Sequence, residues 1–432
     1  MITNTGYETV SQLTLGGLRM NAEIIGVGTE LLLGQIANTD AQYLSQKLSQ
    51  LGINLFYHTV VGDNMIRVKQ ALAIAIERVD LIITTGGLGP TMDDLTKEAI
   101  AEFLGLRLIA HQPSIDALEA FFVKRGRTIS KNNYKQAYFP EGSIVLPNSV
   151  GTAPGAIVEH NDKVFVILPG PPRELQPMFE NHVIPYLEAK SDEKIVSKVL
   201  KIYGIGESVM EEKIQDILAN QSNPTIAPLA GDSELTLRIT AKTPRNHDPL
   251  ALIQPLENRI RERLGDVIYG VNDDTLESVV VSLLTRSSKT IAIAESCTGG
   301  LIARRITSIP GASTAFVEGM VTYSNQSKIE RLGVSKDTLN KYGAVSYETA
   351  TEMLKGILKA TGADVGIAVT GIAGPGGGTP DKPVGLVYIA IGDKNGYMKV
   401  QDYNLLGERT RVQQTASSIA LDSVRRMLLN ID

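Results

Sequence analysis

The sequence has little of what marks secreted, membrane-spanning or nucleic-acid-binding proteins. Its 432 residues include a single cysteine, Cys297, so an intramolecular disulfide framework is excluded and a reducing compartment is favoured. No apolar run reaches the roughly 18 residues that a membrane span requires. A net charge of −5 offers no electrostatic attraction to nucleic acid or to anionic membranes. We therefore predict a cytoplasmic protein that binds neither membrane nor nucleic acid.

The remaining composition is that of an ordinary globular protein, with 43% hydrophobic and 21% charged residues. A chain of this length has room for about three domains. The first 19 residues are polar with scattered leucines and lack the basic start and continuous apolar core of a signal peptide. We predict a loose extension over residues 1–19.

Strand-like and helical patterns alternate between residue 22 and about residue 186. The predicted strands are 22–27, 53–60, 79–84, 156–158 and 164–168. The predicted helices are 40–51, 65–78, one from residue 94 and one opened by 169–174. Such alternation predicts a parallel sheet with right-handed crossovers, and we assign this α/β domain to residues 20–190.

Two more domains follow along the chain. Residues 191–270 have the pattern of a small α+β module, with strands at 198–203 and 234–241 and helices at 207–218 and 249–264. Residues 271–432 return to α/β alternation. The predicted helices there are 276–286 and 409–429, and the predicted strands are one that ends at Glu295, 315–321, 364–370, 384–391 and 398–405.

The most informative functional pattern is the stretch 290–300, which runs Thr-Ile-Ala-Ile-Ala-Glu-Ser-Cys-Thr-Gly-Gly. A buried strand that ends at Glu295 would place the Ser296 hydroxyl at the edge of the sheet where α/β proteins bind ligands. Free amides at the start of the next helix would hold an oxyanion or a phosphate. Two other interpretations stay open: an ordinary strand-to-helix turn, or Cys297 as the nucleophile rather than a small apolar filler.

A serine nucleophile needs a base, and the position of the histidines limits the choice. All five precede residue 250, so a Ser-His-Asp triad is disfavoured in the last domain. A lysine kept neutral by burial is the alternative. Among several lysines we choose Lys328, in Val-Thr-Tyr-Ser-Asn-Gln-Ser-Lys, with Tyr323 as a hydroxyl relay.

The first domain contains a glycine-rich loop at 85–91, Thr-Gly-Gly-Leu-Gly-Pro-Thr, which has the composition of a phosphate cradle. Asp93 and Asp94 follow at once. They either partner the dipole of the next helix or hold a divalent cation against a bound pyrophosphate. The stretch 28–40 and the loop 168–172 follow other predicted strands and would line the same edge. The loop is neither a Walker loop nor a Gly-x-Gly-x-x-Gly motif.

Together these segments resemble the CinA family, competence/damage-inducible protein A, from Met20 to about Leu428. In the first domain the matching segments are 28–40, 85–94, 132–137, 151–155 and 168–174. The resemblance implies a MoaB-like, molybdopterin-binding-like parallel-sheet domain at 20–190 and a KH-type linker domain at 191–270. It also implies a C-terminal α/β deamidase domain at 271–432.

For the first domain the resemblance implies metal-dependent hydrolysis of ADP-ribose to AMP and ribose 5-phosphate. The metal ligands would be Asp93 and Asp94, and the identity of the divalent ion stays open. The nucleotide would contact Gly86, Gly87, Gly89, Thr91 and Gly170. The KH-type module carries no implication of RNA binding here, because the acidic chain has no basic stripe.

The last domain resembles nicotinamide mononucleotide (NMN) deamidase, which forms nicotinate mononucleotide and ammonia without a cofactor. The family's catalytic residues fall on Ser296, Lys328, Tyr323, Thr370 and Arg409. For this chemistry we expect backbone amides around Thr298, Gly299 and Gly300 to hold the oxyanion, and the loop that runs from Gly374 to Pro380 to close over the ribose. Many relatives carry Gly-Asp-Arg and a further arginine where this chain has Glu408 and Gln413, so Arg411 is an alternative to Arg409 for the phosphate.

Two other functions remain possible at the level of the sequence. Either the first domain is the only active one, or the protein is a pterin- or nucleotide-binding adaptor in DNA uptake or repair. A homodimer is expected from the family resemblance alone. An adaptor has no need for Ser296 and Lys328 together, and this pair therefore discriminates between the hypotheses.

Overall fold

The structure is a computed structural model that describes residues 20–190, 193–231 and 234–431. The predicted extension at 1–19 lies outside these ranges. The described chain forms two compact units. One takes in the residues up to Ser197 together with Thr240–Leu252, and the other takes in Lys198–Ile239 and the residues from Ile253 onward. No helix in the described ranges is long and apolar enough to cross a membrane.

The first unit is built on a six-stranded sheet in the order β2-β1-β3-β8-β7-β6. The strands of this part of the chain are β1 (Asn21–Val27), β2 (Asn54–Val61), β3 (Leu81–Thr85), β4 (Leu108–Ala110), β5 (Tyr138–Pro140), β6 (Ile144–Leu146), β7 (Gly155–His160) and β8 (Lys163–Leu168). Four neighbouring strands, β2, β1, β3 and β8, run parallel, whereas β7 and β6 are antiparallel to their neighbours. The predicted parallel core is present, and the tight β7–β8 hairpin adds an antiparallel edge to it.

Helices cover both faces of this sheet. They are α1 (Thr29–Leu32), α2 (Thr39–Gln50), α3 (Met65–Ile76), α4 (Thr96–Leu104), α5 (Gln112–Lys124), α6 (Pro172–Met178) and α7 (Ile184–Lys190). Alternate residues of β1 enter different cores, since Ile24 packs with Leu44 of α2 and Ile25 packs with Leu72 of α3. Because both faces are buried, the strands are nearly continuous apolar runs, which is why the sequence revealed them.

The middle of the chain forms a four-stranded sheet in the order β10-β11-β9-β12. Its strands are β9 (Glu193–Ile202), β10 (Thr225–Ala230), β11 (Leu235–Pro244) and β12 (Ile268–Val271), and its helices are α8 (Glu207–Ala219) and α9 (Leu250–Leu264). The burial of β11 alternates along its length, which is the half-buried pattern that the sequence indicates. Strands β10 and β12 were not predicted from the sequence.

The last part of the chain forms a five-stranded sheet in the order β14-β13-β15-β16-β17. The strands are β13 (Ile291–Glu295), β14 (Phe316–Val321), β15 (Val365–Gly371), β16 (Leu386–Asp393) and β17 (Met398–Asn404). The helices are α10 (Leu276–Arg286), α11 (Leu301–Thr307), α12 (Asn325–Leu332), α13 (Lys336–Tyr342), α14 (Tyr347–Thr361) and α15 (Arg409–Leu428). Strands β14, β13 and β15 run parallel, and β16 and β17 add an antiparallel edge.

Strand β13 lies between β14 and β15 in this sheet and is fully buried. Ile293 faces a core formed with α10, α11 and α15, and Ala292 and Ala294 face a second core formed with α14. The carboxyl ends of β13, β14 and β15 meet at one edge because the three strands are parallel. Any side chain that follows these strands is therefore brought to the same place, which is where the candidate site lies.

Candidate active sites

Ser296 follows directly on the last residue of β13 and begins a tight turn into α11. Its amide donates to the carbonyl of Val369 on β15 at 2.9 Å, which fixes the backbone at the sheet edge. The turn then requires left-handed backbone at Gly299 (φ 63°) and Gly300 (φ 94°), a conformation that glycine adopts without strain. The Ser296 side chain is held in a position that leaves only 7% of the residue exposed.

Lys328 reaches this serine from α12. The helix begins after Ser324, whose hydroxyl caps it by accepting from the Ser327 amide at 3.1 Å. The Lys328 Nζ lies 3.0 Å from Ser296 Oγ and donates to the carbonyl oxygen of Thr322 at 2.7 Å. The structure thus brings together the two side chains on which the sequence hypothesis depends.

The amine of Lys328 is buried without a counter-charge. The residue is 1% exposed, and among the described residues no carboxylate lies within ion-pair distance of its Nζ. Burial disfavours the ammonium form and lowers the pKa of Lys328 from 10.5 to about 8. A useful fraction of neutral amine therefore exists near neutral pH, which allows this group to accept a proton from Ser296.

The start of α11 differs from the expectation of free amides. The Glu295 carboxylate turns back and accepts from the amides of Gly300 (3.0 Å), Ile302 (3.2 Å) and Ala303 (2.9 Å). The Gly299 amide donates to the Ser296 carbonyl at 3.1 Å. Gly299 and Gly300 thus do not offer free donors to an oxyanion, because a buried carboxylate and a tight turn have already satisfied them.

Two amides in the same turn remain without a partner. Within the described chain, neither the Cys297 N–H nor the Thr298 N–H donates a hydrogen bond to another residue. The Thr298 side-chain hydroxyl is also buried without a partner. The Cys297 side chain packs in the hydrophobic core, and burial raises the pKa of its thiol to about 12. The thiol therefore stays protonated at neutral pH, which fits a small apolar filler better than a nucleophile. Only the backbone of Cys297 is available to the site.

The other C-terminal candidates lie around this centre in different roles. Tyr323 contacts Lys328 through its carbonyl oxygen (3.4 Å from Nζ), whereas its exposed hydroxyl accepts from Arg409 Nη2 at 2.9 Å. Arg409 also donates to the Gly374 carbonyl at 2.9 Å. Thr370 is buried and donates to the Ala344 carbonyl at 2.7 Å. The structure brings Tyr323, Arg409 and Gly374 together, and it does not place the tyrosine hydroxyl as a relay to Lys328.

In the first unit the glycine-rich loop turns its carbonyls inward. The Gly86 oxygen accepts from Thr96 Oγ1 at 2.8 Å, and the Gly87 oxygen accepts from the Thr96 amide at 3.2 Å. The Leu88 oxygen accepts from Gln136 Nε2 at 3.2 Å. In a planar trans peptide the N–H points away from the preceding C=O, so the amides of Gly87, Leu88 and Gly89 point outward. None of these three amides has a partner among the described residues, and a run of free amides has the geometry that suits an anion.

Two other segments meet this loop. The Gly86 amide donates to the Leu168 carbonyl at 3.0 Å, and a Cβ on Gly170 would lie 3.4 Å from the Gly86 Cα. The end of β1 touches it as well, because a Cβ on Gly86 would overlap the Val27 carbonyl oxygen. The predicted convergence of the three strand ends is therefore present.

Asp93 and Asp94 lie in the loop before α4 and not in its first turn, since that helix begins at Thr96. The Asp94 carboxylate accepts from the Thr91 amide at 2.9 Å, and the Thr91 hydroxyl bonds to both aspartates. That hydroxyl bond, helped by nearby Lys135, lowers the pKa of Asp93. Helix capping thus does not account for this pair, because its bonds go to Thr91.

The carboxylates near the glycine-rich loop can be compared with the ligands that a divalent cation requires. No group of three or more His, Cys, Asp or Glu side chains in the described ranges could hold a metal ion alone. Two neighbouring carboxylates beside a loop with three outward amides fit an ion of the Mg²⁺ type, which takes one or two carboxylates and completes its shell with water and phosphate oxygens. The residues fit a metal that binds together with a phosphorylated ligand.

Three buried polar groups lie in this unit: Asp40 and Gln136 were expected only as members of the segments 28–40 and 132–137, and Lys97 was not predicted from the sequence. Asp40, on α2, keeps an unpaired buried oxygen, and burial raises its pKa to about 6. Lys97, on α4, is 2% exposed, donates to the Gln136 carbonyl at 2.7 Å, and has its pKa lowered to about 7 by burial. Gln136 in turn holds the glycine-rich loop. Lys97 precedes Ile100 and Ala101 by three and four positions, and this helical spacing is the signal that would have placed it on the buried face.

Comparison with known protein families divides the chain into three matches. Residues 23–189 match the model of the probable molybdopterin binding domain, residues 197–270 match the damage-inducible protein CinA KH domain, and residues 273–428 match the CinA C-terminal domain. The predicted fold class, a MoaB-like α/β domain, a KH-type module and a C-terminal α/β domain, is confirmed.

The chain is also similar to individual proteins. The chain is 53% identical over 410 residues to a CinA-like protein of Kosmotoga olearia, covering 95% of this chain and 99% of the relative. It is 52% identical over 412 residues to a putative competence-damage inducible protein of Clostridium acetobutylicum, with 95% and 100% covered. The solved competence/damage inducible protein CihA of Agrobacterium tumefaciens is 39% identical, with 36% of this chain and 92% of that chain covered and a TM-score of 0.34. From its identity to relatives that it spans end to end, this chain belongs to the CinA family.

Proposed function

We propose that the C-terminal domain hydrolyses the carboxamide of nicotinamide mononucleotide to nicotinate mononucleotide and ammonia. The observation that carries this proposal is the 3.0 Å approach of the buried Lys328 amine to the Ser296 hydroxyl, with no counter-charge among the described residues. Burying a charged lysine without a counter-charge costs folding free energy, and this cost is explained if the neutral amine serves in the reaction. A merely structural role would be served as well by an apolar side chain.

In the proposed reaction, Lys328 and Ser296 act one after the other. Neutral Lys328 takes the proton from Ser296 as its oxygen bonds to the carboxamide carbon, and the carbonyl electron pair becomes an oxyanion. Collapse of that intermediate breaks the C–N bond, and Lys328 passes the proton to the nitrogen, which leaves as ammonia. Water then adds to the acyl-serine with Lys328 as base. Release of the carboxylate returns the proton to Ser296.

We assign recognition of the nucleotide to the exposed, positively charged side chain of Arg409 beside the site. Arg409 is solvent-accessible and is held by Tyr323 and Gly374 through two different nitrogens. A guanidinium held at a fixed angle is suited to bind a 5′-phosphate in a bidentate way. Arg411 is the less suitable of the two, because its side chain lies against Gly407.

The test is ammonia release from NMN by the full chain. The matched set is Ser296→Ala, Lys328→Met and, as a control, Lys355→Met, which removes an exposed lysine from α14. We expect wild type and Lys355→Met to be active and the first two variants to lose at least 1000-fold in kcat. No ammonia from wild type would refute the proposal. If ADP-ribose were still cleaved in that case, the first domain would be the only active one.

We also propose that the first domain cleaves ADP-ribose to AMP and ribose 5-phosphate in a metal-dependent reaction. The supporting observation is the run of three outward amides at Gly87, Leu88 and Gly89 beside the carboxylates of Asp93 and Asp94. The amides would bind the pyrophosphate, and the two aspartates would hold the divalent ion. Such an ion, when bound, neutralises charge on the phosphates and activates water. AMP formation with and without added Mg²⁺ or Mn²⁺ tests this activity.

A further inference from the structure

Gln413 contacts the backbone of the nucleophile turn from α15. Its Nε2 donates to the Cys297 carbonyl oxygen at 2.7 Å. The residue lies one helical turn after Arg409, so the two side chains project from the same face of the helix. The helix that presents Arg409 therefore also touches the Cys297–Thr298 peptide, one residue beyond Ser296.

The contact fixes one peptide plane. The Cys297 carbonyl and the Thr298 N–H belong to the same planar trans peptide, in which the two groups point in opposite directions. Holding the carbonyl oxygen on the Gln413 side therefore turns the Thr298 N–H to the other side. That N–H is one of the two amides in the turn that have no partner among the described residues.

A second contact fixes the other end of the turn. The Glu295 carboxylate binds the amides of Gly300, Ile302 and Ala303 and so anchors the chain on the far side of Thr298. The Gly299 N–H also closes the turn on the Ser296 carbonyl, and Gln413 is the side chain that bonds to the Cys297–Thr298 peptide itself. A hydrogen-bond donor that is fixed before the reaction stabilises a developing oxyanion more than one that must reorient.

We propose that Gln413 is a positioning residue, which orients the Thr298 N–H to receive the oxyanion formed on attack by Ser296. The inference rests on the acyl-transfer chemistry proposed above. It assigns the oxyanion contact to the Cys297 and Thr298 amides and not to those of Gly299 and Gly300. Gln413 itself touches neither the substrate nor the reacting atoms.

The test compares three variants at one position. Gln413→Met keeps the length and removes the donor, Gln413→Glu places an acceptor against the carbonyl, and Gln413→Arg restores a donor. Gln414→Met is the matched control, because Gln414 is the next residue on α15 and is exposed. The readouts are kcat and KM for NMN, the pH dependence of kcat and the thermal midpoint of each full-length variant.

We expect kcat to fall about 10- to 100-fold in Gln413→Met and further in Gln413→Glu, with KM within about twofold of wild type. Gln413→Arg should return kcat to within about threefold. The pH midpoint of kcat should not move, because Lys328 is untouched. A structural role alone would instead lower the thermal midpoint and change KM or the pH midpoint along with kcat.

Two results would overturn the inference. One is a kcat within twofold of wild type in both Gln413→Met and Gln413→Glu. The other is a loss in Gln413→Arg equal to that in Gln413→Met. If wild type releases no ammonia from NMN, the same series is followed by the burst of p-nitrophenol from p-nitrophenyl acetate. A burst that depends on Ser296 but not on Gln413 refutes the inference, and the absence of any burst refutes the nucleophile and the inference together.

Discussion

The Lys328 amine and the Ser296 hydroxyl lie 3.0 Å apart at the carboxyl edge of the C-terminal sheet. They are separated by 32 positions in the sequence and reach each other because β13 and β14 are adjacent and parallel. Ser296 follows β13, and Lys328 is on the helix after β14. The rest of the amine's shell consists of carbonyl oxygens, which accept from either protonation state of a lysine.

Deamidation should increase with pH through the pKa of Lys328. The neutral fraction of the amine falls about tenfold for each pH unit below that pKa, and the burial described above lowers the pKa to about 8. We expect kcat for NMN to rise between pH 6 and about pH 8 and then to level off. Initial rates of ammonia release at saturating substrate give the profile. A midpoint near 10.5, or a flat profile over this range, would show that Lys328 is not the base.

The same burial should make stability depend on pH. Lys328 has a lower pKa in the folded state (about 8) than in the unfolded state (10.5), so between these values the unfolded chain binds more protons. Stability should therefore rise with pH across this window, by up to about 3 kcal/mol from this group. In Lys328→Met this contribution is absent. Thermal midpoints of both proteins from pH 7 to 11 test it, and a constant difference between them would contradict the burial of a charged amine.

Much of the C-terminal domain was predictable from local patterns. The helix predicted at 276–286 is α10, and the strand that leads to Ser296 is β13, because both have strong apolar periodicity.

In the first unit, the helix α5 was not identified, since only Ser114 and Leu118 of its 13 residues are buried and its apolar face is too sparse to stand out. Short strands such as β4 and β6, of three residues each, carry no usable period.

The details of the site were less predictable than its location. Glu295 is a polar residue at the end of an apolar strand, and nothing in the sequence indicates that its carboxylate folds back onto three amides. Likewise, Asp93 and Asp94 have the composition of a helix start, but their bonds to Thr91 place them in the preceding loop. In both cases the carboxylate could accept from several backbone donors at similar energy, and the tertiary structure determines which of these hydrogen bonds forms.

The phosphate contact should depend on the guanidinium of Arg409. Arg409→Lys keeps the charge but cannot hold both Tyr323 and Gly374 and also bind a phosphate in a bidentate way. We expect KM for NMN to rise about 10- to 100-fold, whereas the rate with nicotinamide riboside, which lacks the phosphate, should change less than twofold. Arg411→Lys serves as the control. A larger effect of Arg411→Lys on KM would assign the phosphate to that arginine.

The two aspartates of the first domain should be required only for ADP-ribose. We expect Asp93→Ala and Asp94→Ala each to abolish metal-dependent formation of AMP, since each removes one of two carboxylates from the proposed ion. Ammonia release from NMN should stay within twofold of wild type in both variants. Measuring both activities on the same preparations separates loss of the metal from loss of the fold. Unchanged AMP formation in both variants would remove these residues from the site.

The glycine-rich loop should tolerate no side chain at Gly86. Gly86 (φ 93°) and Gly34 (φ 66°) both have left-handed backbone, so alanine is strained at either position. A Cβ on Gly34 meets nothing within 4 Å, whereas one on Gly86 would overlap the Val27 backbone oxygen at the end of β1. We expect Gly34→Ala to lower the free energy of unfolding by about 1 kcal/mol and Gly86→Ala by about 3 kcal/mol or more. Denaturant unfolding of the two variants gives the comparison. Equal losses would mean that the loop can move away from β1, and the outward orientation of the Gly87, Leu88 and Gly89 amides would then have no rigid support.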